Sequence, residues 1–519
     1  MVNSKEIDTE WVGLPMTAEQ EQIAMLTAKV KEQAEIIDYL TRKMFGQKSE
    51  QVDPNQLSLL EEDDRVFTEP EQTGQENQTD QVQSTKKRKK TRQEVLSRDL
   101  PVKITFVDVE DKLCPHGHSL VLVGEKFVRE QLYFQPAKLY REEIHAHTYK
   151  CVDCESIDGL AHLIQAQVSN PVIPHSLGSA SVIAEIIHQK YEQGVPLYRQ
   201  IKDWQRLGVN LSETTLANWM IKSGKLMRPL YELIRKTLMA QSCLQGDETP
   251  IQVLREPGKK ASSKSYMWVA RSVRKSPIQA VLYAYGSTRS GTFAQDLYRG
   301  FRGTFQCDGY SGYNSLGDSV TRIGCFAHVR RKFYDAANVK GRIQMSRPLK
   351  LLDKMFALER EWQHFSPRSR KRRRRGKLRG LLNKFWRWID QADELPKSQL
   401  GKAITYAQNQ RATLNKIIEH GEFDFSNNAA ERNMKSLVIG RKNWLFSTSP
   451  AGAKATAIWM TLIESAKTNG VNPRDYILYL LENIPQLPAF AKESELVAYL
   501  PWNFTQRPAG RYELNTIAA

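Results

Sequence analysis

No apolar run in the 519-residue chain approaches the roughly 18 residues that a membrane-spanning helix needs, so a helical membrane protein is excluded. Acid is in short supply. Fifty-eight Asp and Glu stand against 75 Lys and Arg, a net charge of +17. An excess of that size, gathered in blocks, implies a polyanionic partner, and nucleic acid is the expected one. Cysteine is scarce too. Three of the six (Cys114, Cys151, Cys154) fall in one segment, while Cys243, Cys307 and Cys325 are scattered. That pattern is no disulfide framework and favours a metal site in a reducing compartment. The N-terminus is polar and unlike a signal peptide, so an intracellular protein is expected. Apolar residues make up 40%, and the shortfall is concentrated in residues 50–85.

A chain of this length exceeds one compact core and is expected to be a multidomain α/β protein. Ile23, Leu26, Val30, Gln33, Ile37, Leu40 and Met44 form a heptad stripe, which predicts a coiled coil over 1–50 and self-association through it. Residues 51–100 read as a disordered acidic linker ending in the basic run Lys86-Lys-Arg-Lys-Lys90. Residues 101–165 alternate in polarity and predict a small β module. Its Cys151-x-x-Cys154 knuckle, with Cys114 and His116 or His118, makes a tetrahedral zinc set, and His145 and His147 are the weaker alternatives. Residues 166–240 predict a helical, helix–turn–helix-like DNA-binding domain. There Ser212 caps a second helix that offers Glu213, Thr214, Thr215 and Asn218 to a groove.

Residues 241–340 read β, β, β, α, β, α, the order of a ribonuclease-H-like sheet, in which the first and fourth strands lie side by side. The first carries Asp247 and the fourth leads into Asp308. A basic helical insertion over 341–420 peaks at Ser369-Arg-Lys-Arg-Arg-Arg-Arg375. The core resumes over 421–482, where Glu431 opens a helix, and 483–519 is read as a partly ordered tail. Two strand carboxylates and one helix carboxylate suit a pair of hard divalent cations, Mg²⁺ or Mn²⁺, at phosphodiester chemistry. Glu464 is the alternative third acid. The plainer reading of Asn428-x-x-Glu431 is a capping box. Arg330, Arg331 and Lys332 on one helix, the basic insertion, and Arg441 with Lys442 are expected to meet DNA phosphates, with Phe446 in the core.

Together these motifs resemble the transposases of the Insertion Sequence 66 group over nearly the whole chain. The resemblance rests on Phe45-Gly-Gln-Lys-Ser-Glu50, the Cys114 to Cys154 segment, Gly246-Asp-Glu-Thr-Pro250 and Cys307-Asp-Gly-Tyr310. It rests further on Gly324-Cys-Phe-Ala-His-Val-Arg-Arg-Lys-Phe333, Asn427-Asn-Ala-Ala-Glu-Arg432, Gly440-Arg-Lys-Asn-Trp-Leu-Phe446 and Leu500-Pro-Trp-Asn503. The resemblance implies an Asp-Asp-Glu transposase of a bacterial insertion sequence, cytoplasmic and nucleoid-associated. Such a protein binds element ends, cuts them and joins them to target DNA, alongside small accessory proteins of the same element. By position, Asp247, Asp308 and Glu431 are the implied triad. The family's first knuckle carries two cysteines where this chain has one. The family's Asp before the Asn pair is Ser426 here, and serine caps a helix as well. A DNA-binding protein without turnover, or a nuclease that cuts without joining, are the alternative functions.

Overall fold

The computed structural model describes residues 139–151, 162–339, 342–343, 346–488 and 490–504. The expected coiled coil, the linker, Cys114, His116 and Cys154 lie outside the described residues. Of the β module, the described part is an antiparallel pair, β1 (Thr148–Cys151) with β2 (His162–Gln165). Residues 139–147 have the alternation of a strand but no regular structure. Their apolar side chains are left in solvent, with Tyr140 78% and Ile144 67% exposed.

Four helices follow: α1 (Ala180–Tyr191), α2 (Leu197–Arg206), α3 (Glu213–Leu226) and α4 (Arg228–Met239). Leu197, Ile201 and Trp204 recur at helical spacing and form the buried stripe of α2. Gly208 turns the chain at φ 86°, and the Ser212 hydroxyl caps α3 by accepting from Thr215 N at 3.1 Å.

The sheet comprises β3 (Cys243–Gln252), β4 (Lys264–Ser272), β5 (Val281–Gly286), β6 (Gly303–Cys307) and β7 (Val320–Gly324). Helix α5 (Gly291–Leu297) connects β5 to β6. Its order is β5-β4-β3-β6-β7, antiparallel from β3 to β5 and parallel from β3 to β7. The adjacency of the first and fourth strands is therefore present. Helix α12 (Pro450–Thr468) closes the β5 edge. Val281 N donates to Ser465 Oγ at 3.0 Å and Tyr283 N to Thr461 Oγ1 at 2.8 Å, so hydroxyls take the place of a further strand.

Beyond β7 come α6 (Phe326–Ala337), α7 (Arg347–Trp362), α8 (Pro367–Arg373), a π-helical turn Arg374–Leu378, α9 (Arg379–Gln391) and α10 (Gln399–Asn415). Their apolar faces build a second core around Phe333, Phe356, Trp362 and Phe385. The first core joins the sheet to α1–α4, to α12 and to α13 (Pro473–Asn483). The segment read as a tail also contributes: α14 (Glu493–Leu496) buries Leu496, and Leu500 is buried after it.

The basic run of the insertion corrects an expectation. Arg370 and Arg374 are buried, not offered to solvent. Both engage Glu359, Arg374 in two bonds of 2.7 Å, and Arg374 also donates to the carbonyls of Ile417, His420 and Phe423. Lys371, Arg375 and Arg379 converge on Glu419. The run is built mainly to hold segment 417–424 in place. A guanidinium without solvent needs such a full set of acceptors.

Candidate active site

The parallel register of β3 and β6 ends at Gln245↔Gln306. Continued by two residues, it sets Asp247 level with Asp308, just past the end of β6. The face is common, because Gln245 Nε2 donates to Gln306 Oε1 at 2.7 Å and side chains two residues apart share a face. Gly246 is required beside Asp247. A Cβ there would lie 2.4 Å from Phe305 and from the Tyr298 hydroxyl.

Glu431 arrives on α11 (Asn428–Trp444), in its first turn. Asn427 anchors that turn. Its Nδ2 donates to Gly246 O at 2.8 Å, and its backbone N–H donates to Cys325 Sγ at 3.1 Å. Gln306 Nε2 holds Asp424 O at 2.9 Å, and Arg271 donates to Ala429 O and to Asn433 Oδ1. The helix bearing the third acid is thus pinned to the strand bearing the first. The N-cap is Asn427 and makes no side-chain cap bond, so neither Ser426 nor Asn428 acts as the expected cap. Both Glu431 oxygens are buried without a hydrogen-bond partner among the described residues, so the capping-box reading fails. The Asn427 side chain is spent on β3 instead.

The three acids lie close enough to raise one another's proton affinity. Burial holds Asp247 well above the usual carboxylate range, and the charges of Glu431, Glu248 and Asp308 add to it. Burial pushes Glu431 up to about 7, with Asp308 reinforcing and Arg331, 3.7 Å away, opposing. Burial holds His328 at about 4, so its 3.6 Å approach to Glu431 is that of a neutral imidazole, not an ion pair. Carboxylates at strand spacing, about 4.8 Å, repel by roughly 3 kcal/mol at an effective dielectric of about 20. Asp247 accepts only Glu248 N and Asp308 only Tyr310 N, each at 2.9 Å, and no ion pair reaches either among the described residues. One guanidinium cannot balance this set. Oxygen donors with free lone pairs and surplus negative charge fit hard divalent cations. Cys325, His328 and Glu431 also place one ligand atom each within 4.8 Å of one another.

Two groups were not singled out from the sequence. One is Asn427, hidden inside an Asn pair that reads as a cap. The other is Glu248, clamped by Arg289 and the Tyr313 hydroxyl, with the Arg289 guanidinium 3.9 Å from the Tyr310 ring centroid. Its signal was present in the acidic doublet Asp247-Glu248. Glu464 does not join the site: it accepts from Asn433 Nδ2 at 2.8 Å and pairs with Lys467 at 3.1 Å.

The expected DNA contacts divide. Arg330 is spent on Asp353 at 2.7 Å and is nearly buried, which corrects that assignment, while Arg331 turns to Glu431. Lys332 is exposed with its Nζ 4.8 Å from the Tyr406 ring centroid, Lys442 is exposed, and Arg441 is half-buried and donates to Pro250 O. Thr214 and Asn218 are exposed, while Thr215 is half-buried against Ser212 at 2.8 Å. Phe446 is 41% exposed, not in the core.

Comparison with known proteins adds the following. A family model described as "Transposase IS66 family" matches residues 175–455, and "zinc-finger binding domain of transposase IS66" matches 111–155. "Transposase C of IS166 homeodomain" matches 32–104 and "IS66 C-terminal element" 461–502. Similar proteins of Sinorhizobium fredii include "Uncharacterized protein y4jD", 27% identical over 96% of this chain and 98% of that one. "Uncharacterized protein y4qI" is 31% identical over 66% of each. Among solved structures, the "Drosophila P element transposase strand transfer complex" matches 64% of this chain and 82% of that one at 14% identity. Its TM-score of 0.21 carries no argument.

Proposed function

The chain belongs to the IS66 transposase family, and on that footing we propose that it is an Asp-Asp-Glu transposase that cuts phosphodiester bonds at element ends and joins them to target DNA. The observation that carries the reading is the Asn427 clamp on Gly246, which brings Glu431 to the face that Asp247 and Asp308 share. The β5-β4-β3-β6-β7 order supports a ribonuclease-H-like core for this site.

Asp247, level with Asp308, would hold divalent cations together with Asp308 and Glu431. Divalent cations bound there would supply an activated water and charge relief on the leaving oxygen. The chain's own part is positioning. Asn427, Gln306 and Arg271 fix the third acid, and Glu248, Arg289 and Tyr313 fix the turn after Asp308. Arg331 beside Glu431 offers a cation to a phosphate oxygen. Lys332, Arg441, Lys442, Thr214, Thr215 and Asn218 are proposed DNA contacts. Cys114, Cys151 and Cys154 with His116 are proposed to hold a structural Zn²⁺, and the N-terminal stripe to pair subunits.

The test is incubation of the full chain with Mg²⁺ and labelled element ends, scoring nicks and joined products separately. Nicks without joining would leave a nuclease. Neither product, with binding retained, would leave a protein that only occupies ends.

A further inference from the structure

The C-terminal end of α11 displays two apolar side chains, Leu445 at 62% and Phe446 at 41% exposure. They sit on a distorted backbone. Leu445 has φ 64° and ψ −51°, and Phe446 N donates to Trp444 O at 2.7 Å, a γ-turn of the positive-φ kind. That turn is rare and strained for a side chain such as leucine. It is held from both sides. Before it, Leu445 N donates to Arg441 O at 2.7 Å. After it, Ser447 N donates to Gln252 O at 2.9 Å, and Leu254 N and Arg255 N donate to Ser447 O and Thr448 O at 3.0 Å. Beneath it, the half-buried Trp444 meets Tyr191 edge-on at 5.9 Å, and Asn443 Nδ2 donates to Gly194 O at 2.9 Å. The fold thus fixes an apolar tip in water on strained backbone. Within the described residues nothing covers it, which points to an external partner.

The charge around the tip selects that partner. The charged residues of the two paired segments, 252–255 and 441–448, are Arg255, Arg441 and Lys442, all cations; Lys264, opposite Gln252 on β4, is another. Arg255, Lys264 and Lys442 are exposed. Two apolar residues are too few to anchor at a membrane. A rigid Leu-Phe tip among cations is the pattern of side chains that enter a base step while the flanking charges hold phosphates. The same helix carries Glu431 in its first turn. At 1.5 Å per residue, Phe446 lies roughly 20 Å along the axis from it, about six base-pair steps.

We infer that Leu445 and Phe446 form a wedge that enters an opened base step of DNA lying along α11, which unstacks the duplex about six pairs from the phosphate held at the acids. This deepens the DNA-cutting reading and rests on it. The wedge favours DNA in which a base is already loosened, because less stacking has to be broken.

The probe is a 30-base-pair duplex of arbitrary sequence, either fully matched or with one central mispair containing 2-aminopurine, and no divalent cation is added. The full chain is expected to bind the mispaired duplex roughly tenfold tighter, with a rise in 2-aminopurine fluorescence. Phe446→Ala and Leu445→Gly should bring the ratio to within about twofold while leaving the matched-duplex Kd within about threefold. Leu445→Gly should also raise Tm, because glycine adopts φ 64° without strain. A simply structural tip would not lose base-step preference while gaining stability. Equal affinity for both duplexes, or a preference kept in both variants, overturns the wedge and leaves the DNA-cutting reading standing. Failure to bind either duplex overturns both. If Phe446→Ala lowers the mass by light scattering and keeps the preference, the tip meets a second copy of the chain and the inference is wrong.

Discussion

Replacing Glu431 with Gln should make the metal-free protein more stable at pH 8 and change it little near pH 4.5. The Glu431 side chain is 11% exposed, its oxygens lack hydrogen-bond partners among the described residues, and burial raises its pKa from 4.5 to about 7. The folded-state pKa lies above the unfolded one, so the proton stabilises the fold. That contribution is complete below about 4.5 and is lost as pH rises through about 7. The difference, 7 − 4.5 = 2.5, corresponds to on the order of 3 kcal/mol at about 1.36 kcal/mol per pKa unit. A glutamine amide is neutral at every pH and escapes the loss. Thermal unfolding of protein dialysed free of added divalent ions should show the variant several degrees above wild type at pH 8, with the gap closing at low pH. Mg²⁺ should then narrow the gap by stabilising wild type alone. A variant less stable than wild type at pH 8, or a gap independent of pH, would refute the claim that Arg331 alone does not compensate ionised Glu431.

Three further outcomes follow from the geometry. Asp247→Asn and Glu431→Gln should each abolish nicking and joining and weaken Mg²⁺ binding while DNA binding persists, whereas Glu464→Gln, engaged by Asn433 and Lys467, should remain active; an active Glu431→Gln beside an inactive Glu464→Gln would move the third acid to Glu464. Glu359→Gln strips charge from the buried partner of Arg370 and Arg374 and should cost roughly 3–5 kcal/mol in denaturant unfolding; a loss below 1 kcal/mol would show that the pair is solvated. Lys442→Ala should lower the slope of log K against log salt by about one and weaken all sequences alike, whereas Arg330→Ala should leave the slope unchanged and lower Tm through the loss of its bond to Asp353.

The first four strands and several helices were legible because they rest on local pattern: apolar strands near Asp247 and Asp308, a serine cap at Ser212, an amphipathic stripe in α2; the short β7 was not read from the sequence. What the pattern could not carry was partner choice. Arg370 and Arg374 look like a solvated run because charge along a sequence says nothing about a buried acid eleven or fifteen residues upstream, and Glu359 is that acid. Phe446 reads as core because aromatics are usually covered, yet the γ-turn at Leu445 turns it outward. Asn427 looks like a cap, and only the β3 backbone beside it shows its amide to be a clamp. Long-range hydrogen bonds decide the arginine and Asn427 cases and a local γ-turn decides Phe446, and none leaves a periodic trace.

The clamp between Asn427 and Gly246 joins residues 181 positions apart. During synthesis at about 5–20 residues per second, Gly246 precedes that partner by roughly 10–40 s and the end of β7 precedes it by roughly 5–20 s. The sheet and the insertion therefore exist for a time as a scaffold with two acids and no third. A message cut short, or a reading frame lost, anywhere between β7 and α11 yields a protein without the last ligand, and also without α12, so that the β5 edge is left open. The order of the chain thus withholds the complete site until translation is nearly finished.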